Sequence, residues 1–374
     1  MVSIRRAKCM GGRDPIFEMN AMPAVRDTVA MPRRAIICGM NADPGQAVPG
    51  LESSVPSLRV DYRAGPAADA LADPRTLAVF SFGTDRQPGP DARELVVPLA
   101  SLGPELVEVW QVPGPVSHGR DGDVRWATDG ALLFGAIEVA EGSAGIVSAA
   151  EHAYTALHAT LERHGFPHPL RIWNYLDAII EGEGDLERYR QFCVGRARGF
   201  AAFDAAQQSA ATAIGSRDGR RIVQVYWLAA RVPGLPLDNP RQVTPKRYPR
   251  QYGPQAPSFA RAMLPPTGSD MPLLLSGTAS VVGHETRHKG DTLAQLDETF
   301  ANLDSLLGEA RRRRPSLPAQ FGSGTRLKVY LPDTGARERV EASLARLAPG
   351  APCLLLEGDV CRRDLHVEVD GVHS

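Results

Sequence analysis

Three stretches of this chain carry residue types that could do chemistry. His284-Glu285-Thr286-Arg287-His288 has the H-E-x-x-H spacing of zinc hydrolases, in which two imidazoles on one helical face hold the metal beside a Glu. Here Gly283 precedes the five residues and Gly290-Asp291 follows, directly ahead of a helix start at Thr292. They therefore read as a polar loop, and no metal is expected. The second stretch interleaves Arg241, Lys246, Arg247, Arg250 and Arg261 with Tyr248 and Tyr252. Bases alternating with aromatics can hold single-stranded nucleic acid, but Pro245, Pro249, Pro254 and Pro257 stiffen this segment. Arginines fork onto carboxylates, and tyrosine hydroxyls complete such sites, so a small dicarboxylate fits better; the plain alternative is a solvated surface loop. In the third stretch, strand alternation places His366, Glu368 and Asp370 on one face and Leu365, Val367 and Val369 on the other. By type alone Glu368 reads as a solvated acid and Cys361 as a small buried hydrophobe. G-x-S-x-G, G-x-G-x-x-G and P-loop patterns do not occur, so serine hydrolase, dinucleotide and ATP readings have no support.

Composition narrows the partners. Across 374 residues, 42 Lys and Arg balance 43 Asp and Glu, so no global field draws nucleic acid or an acidic membrane surface. Five cysteines, Cys9, Cys38, Cys193, Cys353 and Cys361, form no C-x-x-C pair. An odd number without a framework points to a reducing, cytoplasmic compartment. No apolar run approaches the ~18 residues of a membrane span. Residues 1–30 mix charges without an apolar centre and are expected to be a disordered tail.

The elements that must position these residues form a repeat. Leu132–Ile137 and Leu274–Ala279 each lead through a Gly-containing loop into an amphipathic helix. Ser148 with Glu151, and Thr292 with Gln295, predict capping boxes at the two helix starts. The stripe Ala150, Tyr154, Leu157, Leu161 ends at Gly165, and Leu293, Leu296, Phe300, Leu303 and Leu307 form its counterpart. Strands follow at Arg171–Leu176 and Arg326–Leu331, then a second helical stretch, then closing strands at 222–228 and 366–369. The expected fold is α/β (α+β): two fused units, each a mixed sheet with helices packed on one face. The boundary is placed near residue 205, giving domains 31–205 and 206–374, the latter carrying the active site. The irregular stretch from Pro233 to Pro266 is long enough to be functional.

Five ordered blocks then resemble the chorismatase family: Arg171-Ile172-Trp173-Asn174-Tyr175; Glu187 to Cys193; Arg247 to Pro254; Ser276-Gly277-Thr278-Ala279-Ser280 through His284 to Asp291; and Gly358 to Glu368. The resemblance implies a fold like that of reactive-intermediate deaminase (Rid) proteins, which agrees with the repeat. It implies chorismate as substrate and no cofactor, with Glu368 protonating the enolpyruvyl methylene so that pyruvate leaves. Such an acid must hold its proton at neutral pH, which burial or a neighbouring carboxylate achieves. One subgroup of the family adds water and releases a dihydroxycyclohexadiene carboxylate. The other aromatises the ring to 3-hydroxybenzoate, in some cases with the 4-isomer, and lines its site with a glycine and a cysteine, matched here by Gly277 and Cys361. The aromatising outcome is expected. In one uninterrupted strand Cys361 and Glu368 would stand roughly 23 Å apart on opposite faces, so this assignment requires a turn at Arg362-Arg363-Asp364. Arg188, Arg250 and Arg261 are the expected carboxylate ligands, with Tyr175, Tyr248 and Tyr252 as hydrogen-bond partners. A Rid-like protein that binds a small molecule without catalysis is the rival reading, and the assembly is expected to be a monomer or a homotrimer.

Overall fold

The computed structural model describes residues 55–85, 87–200 and 208–374; the expected N-terminal tail lies outside them. The first described elements are ones the sequence reading missed. Strands β1 (Arg59–Ala64), β2 (Thr76–Phe82), β3 (Glu94–Val97) and β4 (Leu106–Gln111), with the short helix α1 (Ala67–Leu71), make a four-stranded sheet of order β1-β4-β2-β3.

The repeat follows. Its first copy contains β5 (Ser117–Asp121), β6 (Val124–Thr128), β7 (Leu132–Ala140), α2 (Gly145–His164), β8 (His168–Asp177), α3 (Arg188–Gly199), β9 (Ala210–Ser216) and β10 (Ile222–Ala230). The second contains β11 (Leu235–Leu237), β12 (Ala262–Leu264), β13 (Leu273–Ala279), the hairpin β14 (Val281–Val282) and β15 (Glu285–Thr286), α4 (Thr292–Arg313), β16 (Thr325–Leu331), α5 (Arg337–Leu347), β17 (Cys353–Glu357) and β18 (Glu368–His373). The sheet orders are the same in both: β5-β6-β7-β10-β8-β9 and β11-β12-β13-β18-β16-β17, each closed by one parallel edge pair. This is the expected mixed α/β architecture of two similar units. The sheets divide between Ala230 and Leu235 rather than near residue 205, because β9 pairs with β8 and β10 lies between β7 and β8.

Both faces of each repeat sheet are buried, which explains strands such as Leu132–Ile137 that read as continuous apolar runs. Ile172, Leu176, Val225 and Trp227 pack under α2 and α3, and Leu327, Val329 and Val369 pack under α4 and α5. The alternate residues, Trp173, Tyr175, Tyr226, Leu274 and Tyr330, point inward and meet Phe80 and Trp110 of the N-terminal sheet. Trp173 stacks on Tyr226 at 4.8 Å, and Trp110 lies 5.3 Å from Trp173. All three sheets thus share one aromatic interior.

The two long helices begin earlier than the expected capping boxes. Ser148 lies inside α2, which starts at Gly145, and Gly165 ends it in the left-handed region at φ 70°. Asp291, not Thr292, caps α4 by accepting from the Leu293 and Ala294 amides. No helix among the described residues is long and apolar enough to cross a membrane.

Candidate active site

A cavity of about 670 Å³ opens at the seam where β9 of the first copy meets β13 of the second. Backbone bridges Ala210 to Ala260 and Gly215 to Asp359 hold the seam. Glu368, the first residue of β18, forms part of the wall and is 5% exposed.

The approach to Glu368 is set by a turn. Leu365 N donates to Arg362 O at 3.1 Å, so the chain reverses where the assignment of Cys361 required. Gln295, wholly buried on α4, clamps the segment: its amide donates to Asp364 O at 2.8 Å and its carbonyl accepts from His366 N at 2.7 Å. Gln295 was read as half of a capping box, but it holds this turn instead. Cys361 and Glu368 both line the cavity.

Across the sheet, β13 carries a bulge at Ser276-Gly277, where its pairing with β18 shifts register. Ser276 pins the bulge by donating to Ala260 O at 2.6 Å and accepting from Ala211 N at 3.0 Å. Gly277 therefore faces Glu368 with no side chain between them.

Burial drives the Glu368 carboxyl up to about 8, and the Asp370 charge adds to the rise, against Arg171, Arg261 and Arg362. Burial likewise pushes the Cys361 thiol up to about 12, so it stands as uncharged S–H at neutral pH.

Some of the expected ligands converge here. Arg261 is 5% exposed; its Nη2 donates to Tyr248 O–H at 2.7 Å and to Val243 O at 3.0 Å, while its buried Nε has no partner among the described residues. Tyr252 holds His284 Nδ1 at 3.2 Å and carries the Arg362 guanidinium 4.2 Å above its ring. The Pro233–Pro266 segment contributes these residues through short 3-10 turns at Pro245–Arg247 and Arg250–Tyr252.

Three of the expected ligands stand elsewhere. Arg188 forks onto Glu141, at 2.9 Å for Nη1, and donates to Asp177 O. Arg250 is exposed and paired bidentately with Asp185 at 2.8 and 2.5 Å. Tyr175 is fully buried at the three-sheet junction, 3.2 Å from the Tyr330 hydroxyl.

The cavity also holds residues the sequence reading passed over. Arg196 of α3 is 7% exposed and lines the wall; it lies against the rings of Tyr154 and Phe200, has a buried unpartnered Nε, and meets no carboxylate among the described residues. Arg362, Arg363 and Lys289 add positive charge to the same wall. The two histidines of the H-E-x-x-H segment point to different partners, His284 to Tyr252 and His288 to Glu298, while Glu285 and Thr286 line the cavity. No group of three metal-ligating side chains occurs among the described residues.

A neutral buried carboxyl beside several guanidiniums can protonate a carbon or oxygen of a bound anion. The family model "Chorismatase FkbO/Hyg5-like, N-terminal" matches residues 108–229. A chorismatase from Streptomyces rapamycinicus is 37% identical over 71% of this chain and 82% of its own length. A 3-hydroxybenzoate synthase from Streptomyces hygroscopicus is 35% identical over 73% of this chain and 83% of its own. The crystal structure of a chorismatase superimposes at a TM-score of 0.76 with 30% identity, covering 86% of this chain and 99% of that one. This chain belongs to the chorismatase family.

Proposed function

We propose that this protein converts chorismate to pyruvate and 3-hydroxybenzoate. The observation that carries the reading is the Glu368 carboxyl, buried in the cavity wall and protonated at neutral pH, with guanidiniums around it. Arg261 and Arg196 are nearly buried cations of the cavity wall whose Nε atoms lack partners among the described residues; they are assigned to the two carboxylates of the substrate. Leaving such groups unpaired is costly, so an anionic ligand completes them.

Glu368 delivers its proton to the terminal methylene carbon of the enol ether, and the charge left behind spreads onto the ether oxygen as an oxocarbenium-like centre. In the aromatising course the neighbouring ring hydroxyl attacks the carbon that bears the ether oxygen: a new C–O bond forms as the ether C–O bond breaks and pyruvate leaves, and the hydroxyl proton returns to the Glu368 carboxylate. The resulting epoxide opens by breaking its older C–O bond, and the ring C–H proton that is then lost is balanced by the one the phenolic oxygen takes up. The atoms of chorismate divide between pyruvate and hydroxybenzoate with none left over, whereas the diene acid route consumes a water. Cys361, as a neutral thiol, shapes the wall next to Glu368 and does not attack.

The test is incubation of the purified protein with chorismate, following pyruvate and aromatic products by chromatography. Pyruvate with 3-hydroxybenzoate supports the reading, and pyruvate with a diene acid moves the protein to the hydrolytic outcome. Chorismate binding without pyruvate, unchanged in Glu368→Gln, would leave a binding protein.

A further inference from the structure

Two residues beyond Glu368 on the same face of β18, Asp370 is wholly buried. Four donors converge on its Oδ2: Thr212 Oγ1 at 2.7 Å, Tyr330 O–H at 3.0 Å, and Arg171 Nη2 and Trp173 Nε1 each at 3.2 Å. Its Oδ1 accepts no hydrogen bond and faces Lys328 Nζ at 3.9 Å. Lys328 in turn sits 3.0 Å from Glu108 of β4. The cluster thus draws on all three sheets, and its two acids and two bases balance.

A buried cluster of this kind adds little net stability, because desolvating four charges offsets their attraction. Its placement suggests another use. Thr212 accepts from Arg171, donates to Asp370, and lines the cavity beside Gly277, so it joins the cluster to the wall that holds Glu368. Around the Glu368 carboxyl stand Arg171 on β8, Arg261 ahead of β12 and Arg362 on the turn before β18. Cys361 on that turn and Tyr189 on α3 also feel its charge. The neighbours contributed by β9 and β13 are uncharged, Thr212 and Gly277. Three cations about one carboxyl would ionise it, and Asp370 is the anion that opposes them.

We infer that Asp370 is a positioning residue, whose anchored carboxylate counters the three guanidiniums and keeps the catalytic proton on Glu368. Asp370 is ion-paired with Arg171 at 3.2 Å and faces Lys328 at 3.9 Å, so the opposing group is built into the fold and is in place before substrate enters. Burial followed by the Asp370 charge are the two causes that raise Glu368 to about 8. The inference rests on Glu368 as the acid of the proposed reaction, yet its test needs no reaction.

Infrared difference titration of the ligand-free protein, wild type minus Glu368→Gln, isolates the protonated-carboxyl band of Glu368. In wild type the band should fall by half near pH 8. In Asp370→Asn, referenced to the double variant with Glu368→Gln, the midpoint should fall by about one pH unit or more. Asp370→Ser, which leaves room for a water, serves if the asparagine variant does not fold. Tyr330→Phe removes one anchor but keeps the charge, and its midpoint should stay with wild type. A folded Asp370 variant with an unmoved midpoint overturns the inference, as does a shift in Tyr330→Phe equal to that of Asp370→Asn. If the midpoints move as expected while Glu368→Gln still releases pyruvate, the role of Asp370 stands and the proposed reaction falls.

Discussion

A methyl group on Gly277 would overlap Oε1 of Glu368 and come within 2.9 Å of its carboxyl carbon. The glycine makes room for the acid itself, and Gly277→Ala can be accommodated only by swinging the carboxyl away. Because that group ends a flexible side chain, the fold should survive, with the melting temperature within a few degrees of wild type. Pyruvate release should fall roughly tenfold to hundredfold, the scale of an ångström-sized misplacement. Steady-state kinetics with thermal melting checks both parts.

In the proposed reaction Glu368 acts in its protonated form, so kcat/KM should decline as pH rises through about 8. Glu368→Gln should lower pyruvate release by a factor on the order of 10²–10⁴.

The same group carries a stability effect of known sign. In the unfolded chain Glu368 ionises near 4.5, whereas in the fold it keeps its proton to about 8. Between those values the unfolded state binds fewer protons, so wild type loses roughly 1.4 kcal/mol per pH unit relative to Glu368→Gln. The difference should be absent below pH 4 and level off above 8. Urea titrations of both proteins at pH 5 and 8 measure it.

The arginines divide into two classes. Arg196→Gln and Arg261→Gln should raise the KM for chorismate by roughly ten- to hundredfold, the loss of one charge-assisted hydrogen-bonded contact. Arg250→Gln should leave KM unchanged, since its partner is Asp185. Arg188→Gln should act through stability, because it strands the nearly buried Glu141; breaking such a pair costs about 3 kcal/mol. Kinetics and denaturant melts of the four variants separate the classes.

Cys361 should resist iodoacetamide at pH 7.5 in the native protein and react only after unfolding, because its thiol is held protonated. Mass spectrometry of labelled peptides reads this directly.

The repeat was legible because periodicity survives burial: β7, β8, β10, β13 and β16 lie where apolar strand patterns were read, and Gly165 does end α2. The N-terminal sheet was equally available, since Thr76–Phe82 is buried at every residue, but no motif drew attention to it. Arg188 and Arg250 show what sequence withholds. Their partners, Glu141 and Asp185, lie 47 and 65 positions away, and nothing local reveals that a cation is already engaged. Tyr175 follows Arg171 and Trp173 on one strand face, and only the docking of a third sheet makes that face interior. Arg196 had a readable signal: it falls on the buried face of α3 with Phe192 and Cys193, where a lone base is out of place. Glu368 came from family resemblance, because an acid in a terminal strand has no local mark of burial.

The Arg171–Asp370 contact joins residues 199 positions apart, and Lys328 carries the cluster on to Glu108 in another sheet. Contacts of such long sequence separation form late, after chain entropy has been spent on closing large loops. Helices α2 and α4 can regain their circular dichroism while β18 is still unpaired. During refolding, turnover should therefore be the last signal to return, which makes catalysis a stricter gauge of the native state than any measure of secondary structure.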